Sequence, residues 1–242
     1  MKEGNLANRM KYNYEQAFNY RVPLRMPVVV RIDGRAFHTF TKGFGKPFDG
    51  KLITNMQMVA TRVLKEASHS VLAYGQSDEI SFLFNNYEEL ETQMWLGGEI
   101  QKLASITAGI ASACMTRAYP EKDLAVFDSR VFVLPQAEVN NYFVWRQQDA
   151  ERNSLSMLCQ SLYSHKELIG KKRAEQHDLL FAKGQNWNDL ATYKKRGWCI
   201  KKFPNGSYLV DQDIPIFKDN KTYINELVYP LMTISDEETD RA

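Results

Sequence analysis

A chain of 242 residues, 44% hydrophobic and 25% charged, has the composition of an ordinary soluble globular protein and can bury a sizeable core. Lys and Arg number 31 against 29 Asp and Glu, so the net charge of +2 does not announce a nucleic-acid binder, although a local basic face would suffice for one. No apolar run approaches the ~20 residues of a membrane span, Met1-Lys2-Glu3-Gly4-Asn5 lacks the apolar core of a signal peptide, and Cys114, Cys159 and Cys199 are too scattered for a zinc site or a disulfide framework. The expectation is a soluble, cytoplasmic protein with three free thiols.

The opening mixes aromatic and charged residues as far as Arg25 and reads as helix or irregular lead-in. A β-branched run over residues 26–33 then predicts a buried strand ending at Asp33-Gly34. Leu52, Met56, Val59, Val63 and Ala67 recur at helical spacing over residues 51–67. Val71-Leu72-Ala73-Tyr74 reads as a short strand, Gly75-Gln76-Ser77 as a turn, and the alternation of Ile80, Phe82 and Phe84 as the returning strand of a hairpin. Residues 99–119 form a second helix rich in small side chains, able to lie close against a sheet, and Val131-Phe132-Val133-Leu134 is a fourth strand stopped by Pro135. The order β-α-β-β-α-β predicts an α+β, ferredoxin-like core with a four-stranded antiparallel sheet and both helices on one face.

Beyond Pro135 the pattern becomes more charged: helices over residues 138–163 and 171–181, a late hairpin at 198–210 turning at Pro204-Asn205-Gly206, and a polar, acidic tail from Ser235. We therefore expect a catalytic core over residues 1–135 and an extension over 136–242 packed on it as one structural unit.

In the ferredoxin-like order the first strand neighbours the central hairpin, which sets Asp33 beside Asp78, with Glu79 adjoining. Carboxylates from neighbouring strand ends suit Mg²⁺, a hard cation that takes oxygen ligands. Two such ions, roughly 3.5–4 Å apart, can bind the attacking and leaving oxygens of an in-line displacement. Gly34 lets the backbone approach a ligand, and the amides after it can cradle a triphosphate. The glycine-bearing, basic loop of residues 41–49 fits either a phosphate contact or an ordinary helix-capping loop. On spacing alone His38 reads as a packing residue and Lys102 as a snorkelling stem. The clusters Lys171-Lys172-Arg173 and Lys194-Lys195-Arg196 read as a solvated face or as an RNA-backbone contact.

Arg31-Ile32-Asp33-Gly34-Arg35-Ala36-Phe37-His38, Lys46-Pro47-Phe48-Asp49, Tyr74-Gly75-Gln76-Ser77-Asp78-Glu79-Ile80-Ser81-Phe82 and Tyr142-Phe143-Val144-Trp145-Arg146-Gln147-Gln148-Asp149 together resemble the tRNA-histidine guanylyltransferase family of 3′-to-5′ RNA polymerases. The resemblance implies a polymerase-palm core in which Asp33, Gly34 and Asp78 hold two Mg²⁺, with Asp33, Asp78 and Glu79 as the catalytic carboxylates. It also implies that nucleotide phosphates meet Asp33, Gly34, Arg35, Ala36, Phe37, His38, Lys46, Ser77, Asp78 and Lys102. The implied partners are tRNA, ATP, GTP and other nucleoside triphosphates, and the implied assembly is a homotetramer.

Full guanylyltransferases carry His-Ile-Asn-Asn shortly after the Trp-Arg-Gln segment; here the position reads Glu151-Arg152-Asn153-Ser154. That departure resembles the template-directed branch, which repairs 5′-truncated tRNAs. The competing readings are guanylate addition to tRNA-histidine, a nucleotide cyclase sharing the palm, and a tRNA-binding module without catalysis.

Overall fold

The computed structural model describes residues 5–89 and 91–229, so the acidic tail from Ser235 lies outside the described residues. A short helix α1 (Leu6–Met10) continues into a π-helical turn (Lys11–Glu15) and a 3₁₀ turn (Gln16–Phe18), none of them with a buried residue. Val28, Val30 and Ile32 alternate with Val29, Arg31 and Asp33 to build β1 (Val28–Gly34), buried on both faces along most of its length. There follow α2 (Phe37–Phe40), α3 (Gly50–Glu66), β2 (Ser70–Gln76), β3 (Glu79–Phe84), α4 (Ile100–Ala118) and β4 (Phe127–Val133). These elements form the ferredoxin-like β-α-β-β-α-β core, an α+β fold. The remainder is α5 (Gln136–Leu162), α6 (His165–Leu168), α7 (Arg173–Ala182), α8 (Thr192–Arg196), β5 (Trp198–Lys202), β6 (Tyr208–Asp211) and α9 (Thr222–Val228).

The sheet is antiparallel and ordered β4-β1-β3-β2-β5-β6. It has six strands where the pattern led us to expect four, because the late hairpin continues the sheet at the β2 edge. The device is Gly75: its missing side chain leaves a notch filled by the Trp198 indole, and a Cβ there would lie 2.2 Å from the ring. The hairpin turn also differs from expectation. Gly75 and Gln76 belong to β2, and the loop is the two residues Ser77 and Asp78, with Ser77 at φ 50°. β4 starts four residues earlier than its apolar run, since Phe127 donates its N–H to Ser112 Oγ (3.0 Å) and packs its ring 4.9 Å from Phe37.

α3 and α4 cover one face, burying Met56, Val59, Val63, Leu103, Ala111 and Met115 against Val28, Val30, Ile32, Ile80 and Phe82. Asp49 starts α3: its Oδ1 accepts from Leu52 N (2.8 Å), while its Oδ2 accepts from Gly45 N (2.9 Å) and so pins the preceding loop. The 27-residue α5 crosses the opposite face with α9, placing Val139, Tyr142 and Phe143 against Val29, Leu72, Tyr74, Leu83 and Phe217. A smaller cluster of Leu155, Leu158, Cys159, Leu180 and Trp187 fastens the far half of α5 to α7. Among the described residues no helix is long and apolar enough to cross a membrane.

Two glycine replacements are expected to act with opposite sign. Gly75→Ala drives a methyl into the Trp198 ring and should destabilise by about 1–3 kcal/mol. Gly109→Ala, in the exposed interior of α4 with nothing within 4 Å of the added carbon, should stabilise by about 0.5–1 kcal/mol. Urea unfolding of both variants measures the pair; a neutral Gly75→Ala would remove the notch as the reason the sheet extends.

Candidate active site

The antiparallel register sets Asp33 directly opposite Glu79, so their side chains leave the sheet on one face, the face crossed by α5. Asp78 stands one residue earlier, in the two-residue loop, and its carbonyl accepts from Gly34 N (3.2 Å). Burial raises the Asp78 carboxyl above the usual aspartate range, the Ser77 hydroxyl and its own amide pull it down, and the neighbouring Asp33 charge pushes it up. Two carboxylates thus share one end of the β1–β3 pair, Asp33 within β1 and Asp78 in the tight loop that leads into β3.

Glu79 is differently occupied. Arg146 on α5 donates Nε to Glu79 Oε1 (2.7 Å) and Nη2 to Oε2 (2.8 Å), and the same Nη2 reaches Asp149 Oδ2 (2.8 Å). Both side chains are nearly buried. Burial pushes the Glu79 carboxyl up and Arg146, then Arg31, pull it back. Arg31 approaches the same carboxylate at 3.9 Å, and the Trp145 ring lies against both guanidiniums, 4.4 Å from Arg146 and 5.8 Å from Arg31. Glu79 is therefore engaged by arginine, whereas Asp33 and Asp78 are in no ion pair among the described residues.

Two cavities meet at the carboxylates. One, of about 510 Å³, is lined by Arg31, Asp33, Asp78, Trp145, Arg146 and Asn153. The other, of about 650 Å³, is lined by Gly34, Ala36, Phe37, His38, Lys46 and Asp49. Ser77, Asp78, Met157 and Gln160 belong to both. Each is large enough for a nucleotide-sized ligand.

Most of the residues singled out from sequence are gathered here. His38 is exposed on the cavity wall and is not a packing residue. Gly34 has a structural duty as well, since a Cβ there would strike the Phe37 ring at 2.3 Å. The amides of Gly34 and Arg35 are already spent on the carbonyls of Asp78 and Val126, which leaves those of Ala36, Phe37 and His38 to open the first turn of α2. The Arg35 side chain is exposed and lies outside both cavity linings. Lys102 is not brought to the carboxylates: it pairs with Glu99 (2.8 Å) in the first turn of α4, ten residues, or about 15 Å, before the Ser112 that touches the Asp33 end of the sheet. Arg31, Trp145, Arg146 and Asp149 had no role in the sequence reading. Arg31 had a signal, since two-residue alternation puts it on the face of Asp33; Arg146 had another, as a charge on the buried stripe of a helix.

A family model described as tRNAHis guanylyltransferase matches residues 7–135. The chain is 32% identical over 196 residues to a tRNA(His) guanylyltransferase of Schizosaccharomyces pombe, covering 72% of this chain and 73% of that protein. A bacterial tRNA(His) guanylyltransferase-like protein solved with ATP matches with a TM-score of 0.87 at 45% identity, covering 92% of this chain and 99% of that one. The same kind of bacterial protein solved with GTP matches with a TM-score of 0.79 at 42% identity and equal coverage. The chain belongs to the tRNAHis guanylyltransferase family. It is a nucleotidyltransferase.

In this guanylyltransferase relative the raised Asp78 has a thermodynamic consequence. The folded state holds its proton more tightly than the unfolded chain, so the ionised form costs stability above the folded pKa and the cost disappears below the ordinary aspartate range. Asp78→Asn should raise Tm at pH 7 while abolishing transfer, and its stability advantage should shrink as pH falls. Thermal unfolding across pH 3–8 checks this, and a lower Tm at neutral pH would show that Asp78 holds the fold together.

Proposed function

We propose that this chain adds template-matched nucleotides, in the 3′-to-5′ direction, to the 5′ end of truncated tRNA. The observation that carries the reading is the pair of cavities meeting at Asp78, with Asp33 on the wall of one of them, since in-line phosphoryl transfer needs an attacking and a leaving group on opposite sides of one phosphorus. In the activating step an oxygen of the RNA 5′-monophosphate attacks the α-phosphorus of ATP or GTP, and pyrophosphate leaves. In the second step the 3′-oxygen of a nucleoside triphosphate attacks the activated 5′-phosphorus, its proton is lost, and the nucleoside monophosphate leaves; a 5′-triphosphate end skips activation and releases pyrophosphate.

Among the described residues no three His, Cys, Asp or Glu side chains cluster into a metal cage. Two carboxylates with the Gly34 carbonyl instead suit Mg²⁺, which keeps water and takes phosphate oxygens. When bound, two such ions would neutralise charge on the transferring phosphoryl group. The chain's own residues position the reactants: Ala36, Phe37 and His38 present first-turn amides, Lys46 a mobile positive charge, and Ser77 a hydroxyl beside Asp78. Arg31, whose buried Nε makes no hydrogen bond although it lies 3.9 Å from the Glu79 carboxylate, lines the other cavity and offers it a positive charge. Glu79 acts as a positioning residue through Arg146.

The segment in place of His-Ile-Asn-Asn supports the templated branch. Glu151 is engaged by Arg196 (3.1 Å) and Arg173 (3.6 Å), Ser154 Oγ accepts from Trp187 Nε1 (3.0 Å), Arg152 pairs with Asp149, and Asn153 faces the cavity. Three of the four side chains are thus committed to packing and ion pairs rather than to a particular base. In this reading residues 1–135 carry the chemistry and 136–242 the RNA contacts, and the protein works on cytoplasmic tRNA as a homotetramer. The exposed Leu6, Met10, Tyr12, Tyr14 and Phe18 supply apolar surface for such an assembly.

The test is single-turnover extension, with Mg²⁺ and all four nucleoside triphosphates, of tRNAs lacking their first nucleotide and differing in the base opposite the gap. The added nucleotide should follow that base, stop when the acceptor stem is paired, and fall by orders of magnitude in Asp33→Asn on 5′-monophosphorylated and 5′-triphosphorylated ends alike. Addition of guanylate to full-length tRNA-histidine alone would overturn the templated reading.

A further inference from the structure

The two basic triplets lie twenty residues apart in sequence, and α5, α7 and α8 bring them to one surface. Arg173 and Lys195 both flank the Trp187 ring, at 5.7 and 5.8 Å, and Arg173 and Arg196 converge on the single carboxylate of Glu151. Between residues 165 and 197 there are eight Lys and Arg against four Asp and Glu, while the rest of the chain has 23 against 25. The near-neutral whole therefore conceals a basic region. Among the described residues no carboxylate pairs with Lys172, Lys194 or Lys195. Crowding is evident at Lys195, whose ammonium is held below its usual range by burial and by Arg196.

This surface leads to the chemistry. A third cavity, between α3, α5 and α8, is lined by Lys194 and Lys195 at one side and by Ser77 and Gln76 at the other. The cavity is small, about 60 Å³, so a chain of phosphates lying along the α7–α8 surface would pass over its mouth towards the Ser77-Asp78 loop rather than through it. We infer that Lys172, Lys194 and Lys195 form a docking surface for the phosphodiester backbone of RNA, leading its 5′ end to Asp33 and Asp78. The inference rests on the RNA-end reading above and assigns to it a surface outside the catalytic cavities. Single ammonium groups suit this task, because backbone contacts hold register without reading sequence, and Lys195 would exchange its 2.6 Å bond to the Asn188 carbonyl for a phosphate.

The experiment measures Kd for a 5′-truncated tRNA by filter binding across 50–300 mM KCl, for the wild type, for Lys172→Ala/Lys194→Ala/Lys195→Ala, and for Arg62→Ala/Lys65→Ala on the exposed side of α3. The triple variant should bind at least tenfold more weakly at 100 mM KCl, and its log Kd against log[KCl] should be less steep by about 2, because fewer counterions are released. The α3 variant should match the wild type. An unchanged Kd and slope in the triple variant would overturn the docking surface, as would equal losses in both variants. The extension assay separates this from the function proposed above: a wild type that binds truncated tRNA with the expected slope yet never extends it would sink that function and leave the surface standing.

Discussion

Everything on the α5 side of the sheet depends on the buried pairing of Arg146 with Glu79. Two hydrogen bonds of 2.7 and 2.8 Å join a helix outside the ferredoxin-like core to the first residue of β3, directly after the Ser77-Asp78 loop. A buried ion pair of this kind adds little net stability, because desolvation of both charges offsets their attraction. Its value is geometric. Removing one partner strands the other charge in the interior, so α5 has one depth and one register at which it can lie. Tyr142, whose hydroxyl lies 2.7 Å from Ser81 Oγ, and Gln147, bonded to Pro215 O and Phe217 N, fix the same helix on either side.

From that constraint the site follows. With α5 fixed, Trp145, Asn153, Met157 and Gln160 form a wall over the carboxylates, and one open sheet face becomes two cavities sharing Asp78. Arg146 also removes the Glu79 charge from the local balance, so that Asp33 and Asp78 are left as the carboxylates open to a cation. Keeping two acids close and Asp78 largely buried costs stability, a cost that a bound cation, as proposed above, would offset. The left-handed backbone at Ser77 and Ala36, at φ 50° and 53°, falls at the same place, one in each segment that contacts the carboxylates.

Local signals in the sequence carried most of the core. Valine alternation before Asp33, helical spacing from Leu52 and the Ile80–Phe82–Phe84 alternation each reflect burial on one face of one element. What was not legible depends on contacts between distant residues. Trp198 joins the sheet because Gly75, more than a hundred residues earlier, has no side chain, and nothing near Trp198 reports this. Lys102 has a residue type suited to phosphate, yet the antiparallel core sets it at the end of α4 remote from Asp33 and Asp78. Arg146 was visible as part of a motif but not as the partner of Glu79, 67 residues away. The basic triplets read as a solvated face or as an RNA-backbone contact, and that they share one surface shows only through Trp187 and Glu151.

Glu79 and Arg146 act as a unit on the geometry of the carboxylates. A double-mutant cycle with Glu79→Gln and Arg146→Met, read by urea unfolding and by single-turnover extension of a 5′-triphosphorylated truncated tRNA, addresses it directly. Each single replacement should cost about 3–5 kcal/mol of stability and lower the extension rate with little change in nucleotide affinity. The double variant should be no worse than the poorer single, which amounts to a coupling of about 3 kcal/mol or more. Additive losses in stability and rate would show that the two side chains act independently and would contradict the account.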